Sequence, residues 1–420
     1  MLAGAGLAVL VLVMFTLRQN LIVVLGLATA YVYLVFGDGA ISNIVVDAWE
    51  AANKEILLSI PLYILAGNIM SRGVMAARLI RVMRAVSGPI PGGLAIAAVL
   101  SCALFAAVSG SGTVTLLAIG AVMYPALVSA GYSKSFAIGA LCAAGTLGII
   151  VPPSIPLILY GVMTQTSIAD LFIAGVGPAS VLILLMGSYA ILRNRQIRTG
   201  HWHGRELWDA FRQGVWALLM PVLILGGIYS GYFTATESAA VAVVYAIGVE
   251  VLVYREMGVR ELYDVIGQTT KLLGSLFPVL MLALSLNVFL AYQQVPEMLV
   301  GALGPYIDSR MGFLIGVNLF LLAVGCIMDI GSAILILTPI LQPLAAAQGI
   351  DPVHFGIITV VNLEIGYLTP PLGLNLIIAM TVFRTDFWTI CRAVLPFLAL
   401  MLVGLLTVSF WPGLSLFLID

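Results

Sequence analysis

Charge is scarce in this sequence. Of 420 residues only 9% are Asp, Glu, Lys or Arg, against roughly 25% in an ordinary soluble domain. Hydrophobic residues make up 62%, and the mean hydropathy is +1.14. A water-soluble fold of this size leaves much of its area in water and has nowhere to hide that surface. A soluble enzyme, a secreted disulfide scaffold, a coiled coil and a disordered chain are thereby excluded. Histidine is nearly absent, with three residues. His201 and His203 sit in a charged loop, and His354 near one interface. The four cysteines, Cys102, Cys142, Cys326 and Cys391, are far apart within apolar runs. They read as small buried residues, and no CxxC pair or Cys/His cluster suggests a structural metal. A basic tract is also missing, so no nucleic-acid partner is implied.

What is present is a set of continuous apolar runs of about 16–22 residues, the length of membrane helices. The chain reads as an all-α polytopic membrane protein. Run Leu2–Leu17 lacks a basic region before it and a small-residue cleavage site after it, so it reads as a retained helix. Twelve of the 18 basic residues fall in three clusters. They are Arg72, Arg78, Arg81 and Arg84; Arg193, Arg195, Arg198, Arg205 and Arg212; and Arg255, Arg260 and Lys271. The positive-inside rule puts all three in the cytoplasm. Arg18 is then inside, and the acidic stretch Asp38, Asp47, Glu50, Glu55 outside. Glu237 reads as an acid at the N-terminus of a helix on the outer side. Residues 256–270 interleave charged and apolar positions, as expected of a helix lying on the inner surface.

Two segments resemble each other at a constant offset of 218. Pro125 pairs with Pro343, Gly131 with Gly349, Gly148 with Gly366, Pro152-Pro153 with Pro370-Pro371, and Pro178 with Pro396. Glycine and proline fix backbone breaks, so their recurrence implies recurring geometry. The loop assignments make the first copy begin inside and the second outside, so the repeat is inverted. In each copy two runs flank a small polar tip and form a re-entrant hairpin: Ser109-Gly-Ser-Gly-Thr113 in the first, Gly325 to Ser332 in the second. A crossing follows that is broken at Val151–Pro156 or at Thr369–Gly373. About ten full crossings, two re-entrant hairpins and two broken helices result.

Inverted repeats with broken helices at corresponding positions mark a secondary transporter and its binding region. A Pro-Pro pair frees carbonyls that need a partner in lipid, and a cation is one such partner. The restarting helices aim their positive ends at the midplane, which suits an anion. Close helix packing is the alternative use for the small residues. Asp329, a carboxylate at membrane depth, is a functional residue by default. It can carry a proton, compensate a cation or cap the restarting helix, and Glu364 can do the same. Thr146 is Glu364's match in the first copy. No catalytic constellation emerges: a membrane serine protease needs a deep His, an aspartyl protease a second deep Asp. A P-loop is also absent, so an ion gradient is the expected energy source.

Three stretches resemble the large membrane subunit of tripartite ATP-independent periplasmic (TRAP) transporters. They are Gly145–Gly161 with Ser109–Gly112, Gly227–Val241, and Asn362-Leu-Glu-Ile-Gly-Tyr-Leu-Thr-Pro-Pro-Leu-Gly-Leu-Asn375. The resemblance implies a Na⁺-driven elevator importer of organic acids such as C4-dicarboxylates and sialic acids. It implies a periplasmic substrate-binding protein, a separate small membrane subunit of about four helices, and residence in the bacterial inner membrane. Both termini are expected on the periplasmic side. One repeat then covers 1–200, with scaffold helices over 1–71 and hairpin plus broken helix over 88–167. The other covers 201–420, with scaffold over 215–291 and hairpin plus broken helix over 310–384. By likeness one Na⁺ lies among Ser109, Gly110, Ser111, Thr113, Gly148, Val151 and Pro152. Another lies among Gly325, Met328, Asp329, Gly331, Gly366 and Thr369. Substrate is expected between the tips, near Ser111, Pro153, Ser154, Ser332, Pro371 and Asn375. A self-sufficient divalent-anion/sodium symporter is the competing reading.

Overall fold

The computed structural model describes all residues except 1–5, 8, 11–12, 15–16, 18, 20, 38, 40, 198–203, 305–306, 308, 372 and 420. Arg18, Asp38, Arg198, His201 and His203, and much of run Leu2–Leu17, lie outside the described residues. The described chain is helical throughout, with no strand among its residues. Seven helices are long and apolar enough to cross a membrane, or eight if the bent pair Glu55–Arg72 and Met75–Ser87 is one span. The two broken crossings are divided into shorter helices: Lys134–Ile149 with Ile155–Thr164, and Pro352–Gly366 with Leu374–Phe383.

The 218-residue offset recurs in the helix bounds. Gly112–Ser129 matches Ile330–Ala347 at both ends, and Lys134 and Pro352 open the next helix in each copy. The helix starts follow from local chemistry. Ser133 and Asp351, equivalent positions, are both N-caps; Ser133 accepts from the Phe136 N–H, and Asp351 from those of Val353 and His354. Each such bond satisfies a helix donor that would otherwise be stranded. Gly131 and Gly349, two residues earlier in the chain, both adopt positive φ (90° and 68°), the left-handed turn that glycine enters without steric cost. Both Pro–Pro bonds, Pro152-Pro153 and Pro370-Pro371, are cis.

The two copies interlock. Each hairpin's second arm packs against the restarting half-helix of the other copy: Gly112–Ser129 on Leu374–Phe383, and Ile330–Ala347 on Ile155–Thr164. Tyr124 meets Phe383 with ring centroids 4.8 Å apart. Around this centre, Ser59–Arg72 packs on Ala235–Ile247, and Tyr63 bonds Ser238 across that seam. Asn68 donates to the Thr269 hydroxyl at 2.9 Å. Glu237 is indeed a helix-start acid, forming a capping box with Thr234. All four cysteines are free and buried.

One expectation fails. Residues 259–270 are not a separate surface helix but the first turns of one 34-residue helix, Val259–Tyr292. No proline precedes Pro278 in this helix, so the hydrogen-bond ladder runs on from the charged turns into the apolar stretch, through Gly267 and Gly274. At 1.5 Å per residue it is about 50 Å long. That exceeds the roughly 30 Å hydrocarbon core, so its charged turns reach water while the remainder spans. Of the first basic cluster, Arg72 ends one helix, and Arg78, Arg81 and Arg84 lie on the next, Met75–Ser87, turned 70° from it. Gly73 sits at that bend, where the buried Glu250 carboxylate accepts from the Val74 N–H (3.0 Å) and Met75 N–H (2.8 Å).

Candidate functional site

Four helices begin at one place. Gly112, Ile155, Ile330 and Leu374 are each the first residue of a helix, and all four line a single cavity of about 480 Å³. Both hairpin tips reach it, through Ser109, Gly110, Ser111 and Thr113 on one side and Asp329, Gly331 and Ser332 on the other. The far wall comes from the outer helices, with Gly67, Leu272, Ser275 and Val279. Helix N-termini present unpaired N–H groups and the positive end of the dipole, so four together favour an anionic ligand.

The four ends are not alike. Ser154 caps its own helix by accepting from the Leu157 N–H, and Asp329 caps its own by accepting from the Ser332 N–H at 2.9 Å. Asp329 also accepts from the Ser332 hydroxyl. Both its oxygens are thus turned onto its own helix, which is the capping role among the three open to it. The N-caps of the other two helices, Ser111 and Gly373, supply no side-chain bond. Beside the second of these lies Asn375, fully buried, with neither its amide nitrogen nor its oxygen partnered among the described residues. Burial of such a group without a hydrogen bond is costly.

At the first tip, three oxygens gather. The Ser109 hydroxyl is 3.0 Å from that of Thr115, and Thr115 donates to the Ser111 carbonyl at 2.9 Å. The break of the same copy closes on this tip. A Cβ on Gly148 would sit 2.9 Å from the Ser111 carbonyl carbon and oxygen, and one on Gly110 3.0 Å from the Pro153 carbonyl. Hydroxyl and carbonyl oxygens of this kind suit a hard cation. Sequence reasoning missed Thr115. Its signal was position, since it lies one helical turn past Ser111, where side chain and carbonyl face each other.

At the second tip Gly325 and Gly366 meet backbone to backbone; a Cβ on Gly366 would be 2.5 Å from the Gly325 Cα. Thr369 donates from its hydroxyl to the Ile365 carbonyl at 2.9 Å, and from its N–H to that of Gly366 at 3.0 Å. The Tyr367 hydroxyl, unnoticed in sequence, accepts from the Ile330 N–H at 3.3 Å. Met328 is partly buried against the core, and Val151 likewise. Of the expected site residues, Gly148, Val151, Pro152, Pro153, Ser154, Gly325, Met328, Gly366, Thr369, Pro371 and Asn375 do not line the cavity itself. Pro152, Pro153 and Ser154 are buried in the first break, while Pro371 is exposed at the second. Ser154 is engaged with the Ile149 carbonyl.

Glu364 is fully buried and bonds the Thr146 hydroxyl through one oxygen at 2.8 Å; its other oxygen has no partner among the described residues. His354 is also buried, 3.3 Å from the Ser415 hydroxyl.

The chain is similar to known proteins over almost its whole length. Residues 8–414 match the family model described as the tripartite ATP-independent periplasmic transporter, DctM component. It is 42% identical over 395 residues to the C4-dicarboxylate TRAP transporter large permease of Pseudomonas aeruginosa, covering 93% of this chain and 92% of that protein. It is 36% identical over 394 residues to the ectoine/5-hydroxyectoine large permease of Ruegeria pomeroyi, covering 92% and 91%. It is 35% identical to the isethionate permease DctMQ of Oleidesulfovibrio alaskensis over 94% of this chain but only 62% of that longer protein. Among solved structures, MtrF of Neisseria gonorrhoeae superposes with a TM-score of 0.64 at 14% identity, covering 90% of this chain and 85% of its own. YdaH of Alcanivorax borkumensis gives 0.58 at 15%, covering 90% of each chain. Both are transporters, and at this identity they attest the fold. The chain is thus a multi-pass membrane protein belonging to the DctM family, the large permease component of tripartite ATP-independent periplasmic transporters.

Proposed function

We propose that this permease imports a small organic acid by sodium-coupled secondary transport, with an elevator movement of the hairpins and broken helices against the outer helices. The observation that carries the reading is the convergence of four helix N-termini on one cavity. Relatives are named for C4-dicarboxylates, isethionate, ectoine and 2,3-diketo-L-gulonate. Each of these ligands bears an acidic group, which is what paired dipole ends recognise. The acid is held by the two ends without side-chain caps, at Ser111–Thr113 and at Gly373–Asn375. Asn375, buried behind the second end and off the cavity wall in this structure, is the donor that an opening of that end would offer. Ser332 and Pro371 stand beside this path.

Sodium is carried as cargo in two places. One is the oxygen cluster of Ser109, Ser111 and Thr115 against Gly148, Val151 and Pro152. The other lies between the Gly325–Gly331 tip and Gly366 and Thr369. The inverted orientation of the two copies then exposes the cavity to each side in turn. A separate small membrane subunit and a periplasmic binding protein complete the system in the bacterial inner membrane. The fused DctMQ relative supports the partnership with the small subunit.

The test is uptake into proteoliposomes containing this chain and its small subunit. A panel of radiolabelled organic acids is offered with and without an inward Na⁺ gradient and the cognate binding protein. Uptake requiring both supports the reading and names the substrate. Uptake requiring Na⁺ alone moves the protein to the self-sufficient symporters, and no uptake from folded protein refutes the transport assignment.

A further inference from the structure

A second cavity lies away from the hairpin tips. It has a volume of about 840 Å³ and three walls: helix Met75–Ser87, the base of the first hairpin's second arm, and the first turn of Gly204–Tyr229. Arg81 and Arg84 line it on one side, Leu94, Val122 and Ala126 on the other. Arg81 is fixed by its bond to the Gln213 side chain, which also accepts from Arg78 at 2.9 Å. The Arg84 guanidinium has no hydrogen-bond or ion-pair partner among the described residues. Glu206 also lines the cavity. It sets one carboxylate against two guanidinium groups and forms no ion pair with either among the described residues.

The level of this cavity in the membrane follows from the helix beside it. Trp208, two residues after Glu206, is 70% exposed, and Phe211, Val215, Leu219 and Val222 continue an exposed apolar stripe along the same helix. A tryptophan at the head of a lipid-facing stripe marks the headgroup level. Val122, on the cavity wall, is itself exposed, so the apolar side opens toward lipid. Cationic groups at headgroup depth beside an apolar wall match the two ends of an anionic phospholipid. Guanidinium groups bind phosphate through paired N–H donors.

We propose that this cavity is a phosphate-anion site, occupied in the bilayer by the headgroup of an anionic phospholipid whose acyl chain runs along Leu94 and Val122. Arg81 and Arg84 hold the phosphate. The site is independent of the transport reaction, so its test does not depend on uptake.

Detergent-purified protein is mixed with phosphatidylglycerol or phosphatidylcholine and the retained lipid counted by native mass spectrometry, with inorganic phosphate in a third arm. Wild type retains phosphatidylglycerol in preference to phosphatidylcholine. Arg84→Gln, which has no partner to lose, weakens that retention about fivefold, the contribution of one arginine near a membrane surface. Ala126→Phe narrows the cavity beside the arginines, leaves both in place and weakens retention further. If inorganic phosphate binds in a manner weakened by Ala126→Phe and phosphatidylglycerol does not, the anion site stands with a soluble occupant and the lipid assignment falls. Equal retention of the two lipids, or retention unchanged in both variants with no phosphate binding, overturns the proposal.

Discussion

Thr146 and Glu364 occupy equivalent places in the two repeats, 218 residues apart, and they hydrogen-bond to each other at 2.8 Å. A residue and its repeat equivalent meet only close to the axis relating the copies, so this pair marks the junction. The two positions differ in chemistry, hydroxyl against carboxyl, and the difference is what lets them bond. The Thr146 hydroxyl also reaches the Ala143 carbonyl at 2.8 Å. Having one proton, it cannot donate fully to both.

Removing one partner therefore strands the other. Thr146→Val leaves a buried carboxyl unpaired and is expected to cost about 1–3 kcal/mol. The double variant Thr146→Val/Glu364→Leu removes both polar groups and recovers most of that loss. Thermal unfolding in one detergent compares wild type, Thr146→Val, Glu364→Leu and the double variant. Additive destabilisation would contradict the pairing.

Gly73 lies at the 70° bend, and a Cβ there would run into the Glu250 carboxylate. Gly73→Ala is expected to destabilise by about 1–3 kcal/mol through overpacking. The same unfolding measurement reads it, and an unchanged midpoint would mean that Glu250 does not hold the bend.

Asn375 separates stability from function. Its buried side chain has no partner for either polar atom among the described residues. Asn375→Leu, similar in volume, should leave the melting temperature unchanged or raise it. It should raise the substrate concentration for half-maximal uptake about tenfold or more, the value of one lost hydrogen bond. A lower melting temperature with normal affinity would make Asn375 a structural residue.

Thr115 bears on the ion. Thr115→Val removes one oxygen from the cluster with Ser109 and Ser111 and keeps the shape. The Na⁺ concentration for half-maximal uptake should rise about tenfold, with substrate selectivity retained. Uptake at varied Na⁺ measures it; an unchanged Na⁺ curve removes the cluster from the coupling path.

Gly67, on the outer helix Ser59–Arg72, touches the tip. A Cβ on it would lie 2.7 Å from the Ser109 Cα. If hairpin and outer helix slide past each other, Gly67→Ala wedges that seam. The maximal uptake rate should fall about tenfold, a barrier of about 1.4 kcal/mol within the range for overpacking, with substrate affinity retained. Initial rates across substrate concentrations separate the two, and a wild-type rate would argue against sliding at this contact.

The sequence by itself determined the class of solvent, the repeat and its offset, and the small polar tips facing Pro-Pro breaks. Those are local properties. Hydropathy is summed along one segment, and glycine and proline set backbone conformation wherever they stand. Tertiary structure alone decided which ends meet. The exchange of half-helices between copies brings four N-termini to one cavity. It turns Asp329 onto its own helix, leaves Asn375 without partners among the described residues, and joins Thr146 to Glu364. It also runs the charged turns at 259–270 directly into an apolar span. None of this is written in a periodicity, because whether a polar group is satisfied depends on neighbours that only the packed chain supplies.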